Sequence, residues 1–170
     1  MAETHRVTSD PDQQFRRVMG AFATGVTVVS AARSDGRMSG ITVNSLTSVS
    51  LRPRLLLWCL GDQSERYDVF AEANAWGVTV LGAADEAIAR RFARAESESI
   101  EAHEAEVFAG APVLRAGVAH IACRTHLRQK AGDHLIVIGE VQDLRAQDGD
   151  ALTYFRGRYG RTAHDLGSEK

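Results

Sequence analysis

Residues 118–144 read VAHIACRTHLRQKAGDHLIVIGEVQDL, and this stretch decides the fold. Two long runs rich in apolar and β-branched residues, 118–129 and 135–144, flank the turn Lys130-Ala131-Gly132-Asp133-His134. A Gly-Asp turn between two such runs predicts a hairpin, and so short a connection forces the strands to be antiparallel. Upstream, residues 54–60 are apolar after Arg54, which predicts a central, buried strand opened by Pro53. Residues 26–32 and 37–45 read as a second hairpin around Ser34-Asp35-Gly36, and 75–81 as a further strand.

Helices fill the gaps. Asp10 or Asp12 is a candidate cap for a first helix with Pro11 near its start. Phe15, Val18, Met19 and Phe22 recur at helical spacing, and Gly25 ends the pattern. Ser64 is placed to cap a helix to residue 71, and Asp85 one that runs through 88–95. Residues 45–52 read as a Ser/Thr-rich loop, and the acidic stretch 96–106 as a mobile surface segment. About six strands against three helices, with long hairpins, predict a mainly β chain of the α+β class: an antiparallel barrel with helices outside it. Strands and helices do not alternate regularly, which speaks against a doubly wound parallel sheet. The expected organisation is one domain, 11–160, with flexible tails at 1–10 and 161–170.

The 170 residues carry a formal net charge of -2, so no basic excess is present to drive binding to nucleic acid or anionic lipid. The longest apolar run, 55–60, is far too short to cross a bilayer. Cys59 and Cys123 stand far apart within strand-like segments, which suits a reduced, cytoplasmic protein. Cys59 reads as a small buried hydrophobe or as a position lining a ligand. None of the six histidines stands at metal-ligand spacing, so no metal is expected. His120 and His126 fall on one strand face but roughly 20 Å apart. No Gly-x-Ser-x-Gly elbow, phosphate loop or Gly-x-Gly-x-x-Gly turn occurs, so any nucleotide binds in another way.

Three segments are richer in chemistry. In residues 40–50, Thr42, Val43, Asn44, Ser45, Ser48 and Ser50 gather hydroxyl and amide groups at a strand end. Such groups suit the carbonyl-rich edge of a heteroaromatic ring, and equally a turn that satisfies its own backbone. In residues 59–66, a strand leads through Gly61 to a helix start with Ser64 and Arg66. That pattern fits a phosphate, and also an ordinary cap with a surface ion pair. The third is Gly132-Asp133-His134 with Arg158 and Tyr159 downstream, a hairpin turn and an aromatic-anchored tail that also suit contacts to a nucleotide.

Together these segments resemble the flavin reductase family of two-component monooxygenases. The resemblance rests on the order of Phe22-Ala23-Thr24-Gly25-Val26, the 40–50 segment, Trp76-Gly77-Val78-Thr79-Val80-Leu81 and Phe92-Ala93. It continues through Gly110-Ala111-Pro112-Val113-Leu114, Gly132-Asp133-His134 and Tyr154-Phe155-Arg156-Gly157-Arg158-Tyr159. Where the family often has paired prolines, this chain has only Pro53. The resemblance implies an antiparallel split β-barrel of the FMN-binding type, acting as a homodimer. It implies an NAD(P)H-dependent reductase that uses NADH or NADPH to reduce FMN or FAD for a partner oxygenase, which the reduced flavin reaches by diffusion. Thr42, Val43, Asn44, Ser45, Ser48, Ser50, Cys59, Ser64, Arg66 and Phe92 are then the expected flavin-binding positions, with the phosphate at Ser64 and Arg66 and the ribityl or adenine end near Phe92. His134, Arg158 and Tyr159 are expected at the nicotinamide, with His134 positioning it for hydride transfer. The alternative is a flavin-binding barrel with another role: an oxidase, an electron carrier or a haem-binding module.

Overall fold

In the computed structural model, which describes residues 10–94 and 99–162, the chain begins with α1 (Pro11–Met19), β1 (Thr24–Gly25), β2 (Thr27–Ala32), β3 (Met38–Val43), β4 (Thr47–Leu51) and β5 (Arg54–Gly61). It continues with α2 (Tyr67–Glu72), β6 (Ala75–Val80), α3 (Glu86–Phe92), β7 (Ser99–Ile100), β8 (Ala105–Phe108) and β9 (Ala111–Leu114). It ends with β10 (Ala119–Ala131), β11 (His134–Ala146), β12 (Leu152–Phe155) and β13 (Arg158–Arg161). The hairpin that decides the fold is present: β10 and β11 pair from Ala119 opposite Ala146 to Ala131 opposite His134.

Eight strands form one sheet in the order β4-β5-β11-β10-β6-β2-β3-β7, and each neighbouring pair is antiparallel. The end strands β4 and β7 are not partners, so the sheet remains an open, split barrel. Alternation along the strands sends side chains to two cores. One holds Val29, Ala31, Trp58, Trp76, Val78 and Val137, closed by Phe70 of α2. Trp58 meets Phe70 and Trp76 edge-on, with ring centroids 5.5 and 6.0 Å apart. The other core holds Val28, Leu81, Ala89, Phe92, Leu114 and Leu152.

The structure departs from the sequence expectation in definite places. The predicted loop 45–52 contains β4, a strand pairing with β5, because its hydroxyl side chains stand on an edge where one side of the ladder is enough. β5 is second from that edge, not central, so Leu56, Trp58 and Leu60 are buried while the alternate residues are only partly so. The first helix ends at Met19, and Gly25 lies in β1. Its cap is Asp10, whose carboxylate accepts the Asp12 N–H at 3.0 Å. Ser64 does not cap α2. Within the acidic stretch 96–106, the described residues from 99 onward are structured: β7 pairs with β3, Ile100 is buried, and the Glu104 carboxylate accepts hydrogen bonds from Arg91. That guanidinium holds the Glu104 carboxyl below its ordinary value. Asp10 caps α1 and Arg161 completes β13, so of the two expected tails only Asp10, Arg161 and Thr162 are among the described residues.

The second core is closed by β9, which crosses β2 and β6. Ser30 Oγ donates to the Pro112 carbonyl at 2.7 Å, and Leu114 N–H donates to Thr79 Oγ1 at 3.0 Å. The crossing requires glycine at position 77, where a Cβ would lie 1.9 Å from the Pro112 carbonyl oxygen. Neither backbone can yield without breaking the Ser30 bond. Gly77→Ala is therefore expected to lower the unfolding free energy by about 3 kcal/mol or more, read from urea or thermal unfolding. A loss under about 1 kcal/mol would mean that β9 shifts freely.

Candidate functional site

The end of β3 is locked before it turns into β4. Thr27 Oγ1 donates to the Val43 carbonyl at 3.2 Å, and Thr42 Oγ1 donates to the Ala89 carbonyl of α3 at 2.9 Å. Ser45 Oγ accepts the Cys59 N–H at 3.0 Å, which ties the turn to β5. Hydroxyls that were candidates for ligand contact at Thr42 and Ser45 thus fix the backbone around Asn44. Asn44 and Thr47 are exposed beside them, with side chains that no other described residue engages.

These residues form the polar lip of a cleft of about 960 Å³. Thr27 and Val80 line its floor, Phe15, Met19 and Phe22 its apolar wall, and Tyr154 its far side. Thr24, also in the lining, has a buried hydroxyl with no partner among the described residues. An orphaned polar atom in a concave wall is what a ligand donor or acceptor satisfies. The size, apolar walls and few convergent polar groups fit a flavin, whose flat ring needs apolar faces and a hydrogen-bonding edge. A smaller recess of about 180 Å³ adjoins the cleft and shares Asn44 and Tyr154 with it. Tyr154 and Tyr159 pack there with ring centroids 5.2 Å apart, and the Arg90 guanidinium lies 4.9 Å from the Tyr159 centroid. Burial raises the Tyr159 hydroxyl above its ordinary value.

Not all the expected residues gather here. Val43 and Asn44 line the recess with Thr42, and Asn44 and Ser45 line the cleft. Ser48 is exposed on β4 opposite Leu56, and Ser50 Oγ accepts the Arg52 N–H at 3.2 Å within a turn. Cys59 is half-buried and Cys123 buried. Burial pushes the Cys59 thiol up and Cys123 to about 12, so both are protonated at neutral pH and unsuited to thiolate chemistry. Ser64 Oγ accepts the Arg66 N–H at 3.3 Å.

Arg66 and Phe92 require correction. Arg66 is 3% exposed, and its guanidinium donates to the carbonyls of Phe92, the last residue of α3, and of Arg94 just after it. A cation there satisfies terminal carbonyls and complements the helix dipole, so Arg66 clamps the end of α3, a role that the sequence reading did not foresee. Phe92 is 1% exposed and packs in the second core, too deep to meet a ribityl or adenine group.

His134 stands at the β10–β11 turn opposite Gly61, outside the cleft lining. Its Nδ1 is 2.7 Å from Asp133 Oδ1, and this contact holds the Asp133 carboxyl below its ordinary value. The turn is fixed by Lys130 Nζ on Asp62 Oδ2 at 2.7 Å and by the Asp62 N–H donating to the Asp133 carbonyl at 2.9 Å. Gly61 lies two residues along β5 from the Cys59 that Ser45 anchors, about 7 Å. His134 and Ser45 therefore flank the same end of β5 from opposite sides. Arg158 is exposed on β13.

Sequence reasoning missed Phe15, Arg16, Met19, Phe22, Thr24 and Thr47 as cleft residues. The helical spacing of the apolar members was visible, but it carried no sign that they face a cleft, and here Phe15 and Phe22 are 68% and 69% exposed. Among the described residues no helix is long and apolar enough to cross a membrane, and no cluster of His, Cys, Asp or Glu is suited to hold a metal.

An open antiparallel barrel with this cleft at its end defines a class, the split-barrel proteins that take a flat heteroaromatic ligand. The family model described as "Flavin reductase like domain" matches residues 19–163. This chain belongs to the flavin reductase-like family. It is 39% identical over 150 residues to the NADH-dependent FMN reductase SmoA of Agrobacterium fabrum, a match covering 88% of this chain and 85% of that one. It is 31% identical to the reductase component of a 4-nitrophenol monooxygenase of Rhodococcus opacus, over 86% of this chain and 79% of that one. The solved structure of the Streptomyces globisporus NADH:FAD oxidoreductase SgcE6, in complex with NAD and FAD fragments, superposes with a TM-score of 0.86 at 34% identity, covering 96% of this chain and 99% of that one.

The reassignment of Arg66 is directly testable. Arg66→Ala leaves buried carbonyls at the end of α3 without their donors and is expected to cost about 2–4 kcal/mol of stability by urea unfolding. On the folded fraction, flavin affinity by fluorescence titration should change less than about twofold. A tenfold weaker flavin affinity with unaltered stability would restore Arg66 as a ligand.

Proposed function

We propose that this chain oxidises NADH or NADPH and reduces FMN or FAD, supplying the reduced flavin to a partner oxygenase. The observation that carries the reading is the cleft whose polar lip, Asn44 to Thr47, meets an apolar wall in a chain of the flavin reductase-like family. Bound flavin supplies a two-electron acceptor for the nicotinamide hydride. The protein's part is to orient and to exclude water. Asn44 presents both a donor and an acceptor to the ring edge, on a backbone made rigid by Thr42 and Ser45. Phe22, Met19 and Val80 offer apolar surface that keeps water from the ring faces. His134, on its clamped turn, orients the nicotinamide from the other side of β5, with Asp133 fixing the imidazole. Arg158 and Tyr159 remain proposed nicotinamide contacts, and Ser48 a proposed flavin contact.

We also infer a homodimer working in the cytoplasm, with residues 11–160 as the functional domain. The exposed Phe15, Val18 and Phe22 of the α1 region, and the open edges at β4 and β7, supply surface for a second copy to cover.

Steady-state oxidation of NADH and NADPH with FMN, FAD and riboflavin as acceptors tests the activity. Turnover with at least one flavin is expected. A tightly held flavin that neither nicotinamide reduces would overturn the reading. Asn44→Ala is expected to weaken flavin binding about tenfold, the worth of a buried hydrogen bond to a ring edge, in a fluorescence titration. His134→Ala should raise the NADH Michaelis constant and slow flavin reduction by up to about 100-fold in stopped flow, with melting temperature nearly unchanged.

A further inference from the structure

We propose that Arg16 is the anion anchor of the cleft and makes it select phosphorylated flavin over the uncharged riboflavin. This rests on the flavin reductase reading above and deepens it.

Among the described residues, Arg16 is the only charged one that lines the cleft. It stands on α1 between Phe15 and Met19, so it belongs to the same wall as the apolar faces offered to the ring. No carboxylate among the described residues pairs with it, unlike Arg37, Arg90, Arg91, Arg115 and Arg145. Arg66, the other arginine with a claim on a phosphate, donates to the carbonyls of Phe92 and Arg94. A planar guanidinium matches two phosphate oxygens at once, and Arg16 is exposed on α1, where a ligand can reach it. Among the described residues no Asp or Glu lines this cleft to repel an anion.

A phosphate can reach Arg16 from two sources: the flavin's phosphate ester, which the proposal names, and the nicotinamide's pyrophosphate. Steady-state kinetics of wild type, Arg16→Ala, Arg16→Lys and the off-cleft control Arg17→Ala separate them. The first arm compares FMN with riboflavin at saturating NADH. Wild type is expected to favour FMN, and Arg16→Ala to reduce that preference in kcat/KM about tenfold. Arg16→Lys should recover part of it, Arg17→Ala should retain it, and added salt should weaken it in wild type. The second arm varies NADH with riboflavin as acceptor, where only the nicotinamide brings phosphate. A rise in its Michaelis constant confined to Arg16→Ala, with the FMN preference unchanged, assigns Arg16 to the pyrophosphate and overturns its role in flavin selection. An unchanged FMN preference together with an unchanged NADH constant overturns the proposal. If wild type reduces no flavin, including riboflavin, the flavin reductase reading itself has failed, a result distinct from either arm.

Discussion

The indole of Trp76 lies where a side chain at residue 139 would have to stand: a Cβ there would be 2.4 Å from the ring. The same indole N–H donates to Thr125 Oγ1 at 3.0 Å, and that hydroxyl donates to the Ala73 carbonyl at 2.7 Å. One residue thus joins β6 to β10 and β11 and to the end of α2. Burying a tryptophan contributes more apolar area than any other side chain, but its N–H must find a partner. Here the partner is the step that fixes the chain entering β6. A large ring on β6 is accommodated by an absent side chain two strands away on β11. The long hairpin wraps, and its turn arrives beside the end of β5.

Around that core, polar groups act as cross-ties between elements distant in sequence. Ser30, Thr42 and Thr79 each join a strand of the sheet to the layer outside it, through Pro112, Ala89 and Leu114. Arg66 does the same for α3. Each is buried or partly so and holds a backbone group that would otherwise be stranded away from water. Rigidity at the strand end near Asn44 is a by-product of these ties. A flat ligand gains from that rigidity because little ordering remains to be done on binding.

Much of the architecture was legible from local signals. The Gly132-Asp133 turn and the two runs around it announce their pairing, and the composition of 26–32 and 75–81 announces strands. β4 was not legible, since a strand rich in serine and threonine is chemically indistinguishable from a loop until β5 is there to pair with it. The roles of Arg66 and Phe92 were hidden for another reason. The partners of Arg66 lie 26 and 28 residues further along the chain, and the core around Phe92 is assembled from six elements. At α1 the helical spacing was legible, but what its apolar face meets was not. Spacing reveals that a face is apolar, and it does not say whether the chain itself covers that face. The lip of the cleft at Asn44 and Ser45 was found because hydroxyl and amide groups cluster in sequence there, whereas the wall contributed by α1 lies more than twenty residues earlier.

The α1 helix buries none of its residues and is joined to the body partly by the Arg156 N–H donating to the Gly20 carbonyl at 2.8 Å. The cleft therefore has two walls of unlike tolerance. Substitutions in the β-strand wall disturb cross-ties and are removed by their cost to folding. Substitutions in the helical wall change what the cleft faces and cost the fold little. Descendants of such a chain can drift in ligand preference along α1 while the barrel stays fixed, so one scaffold can serve many partners without being rebuilt.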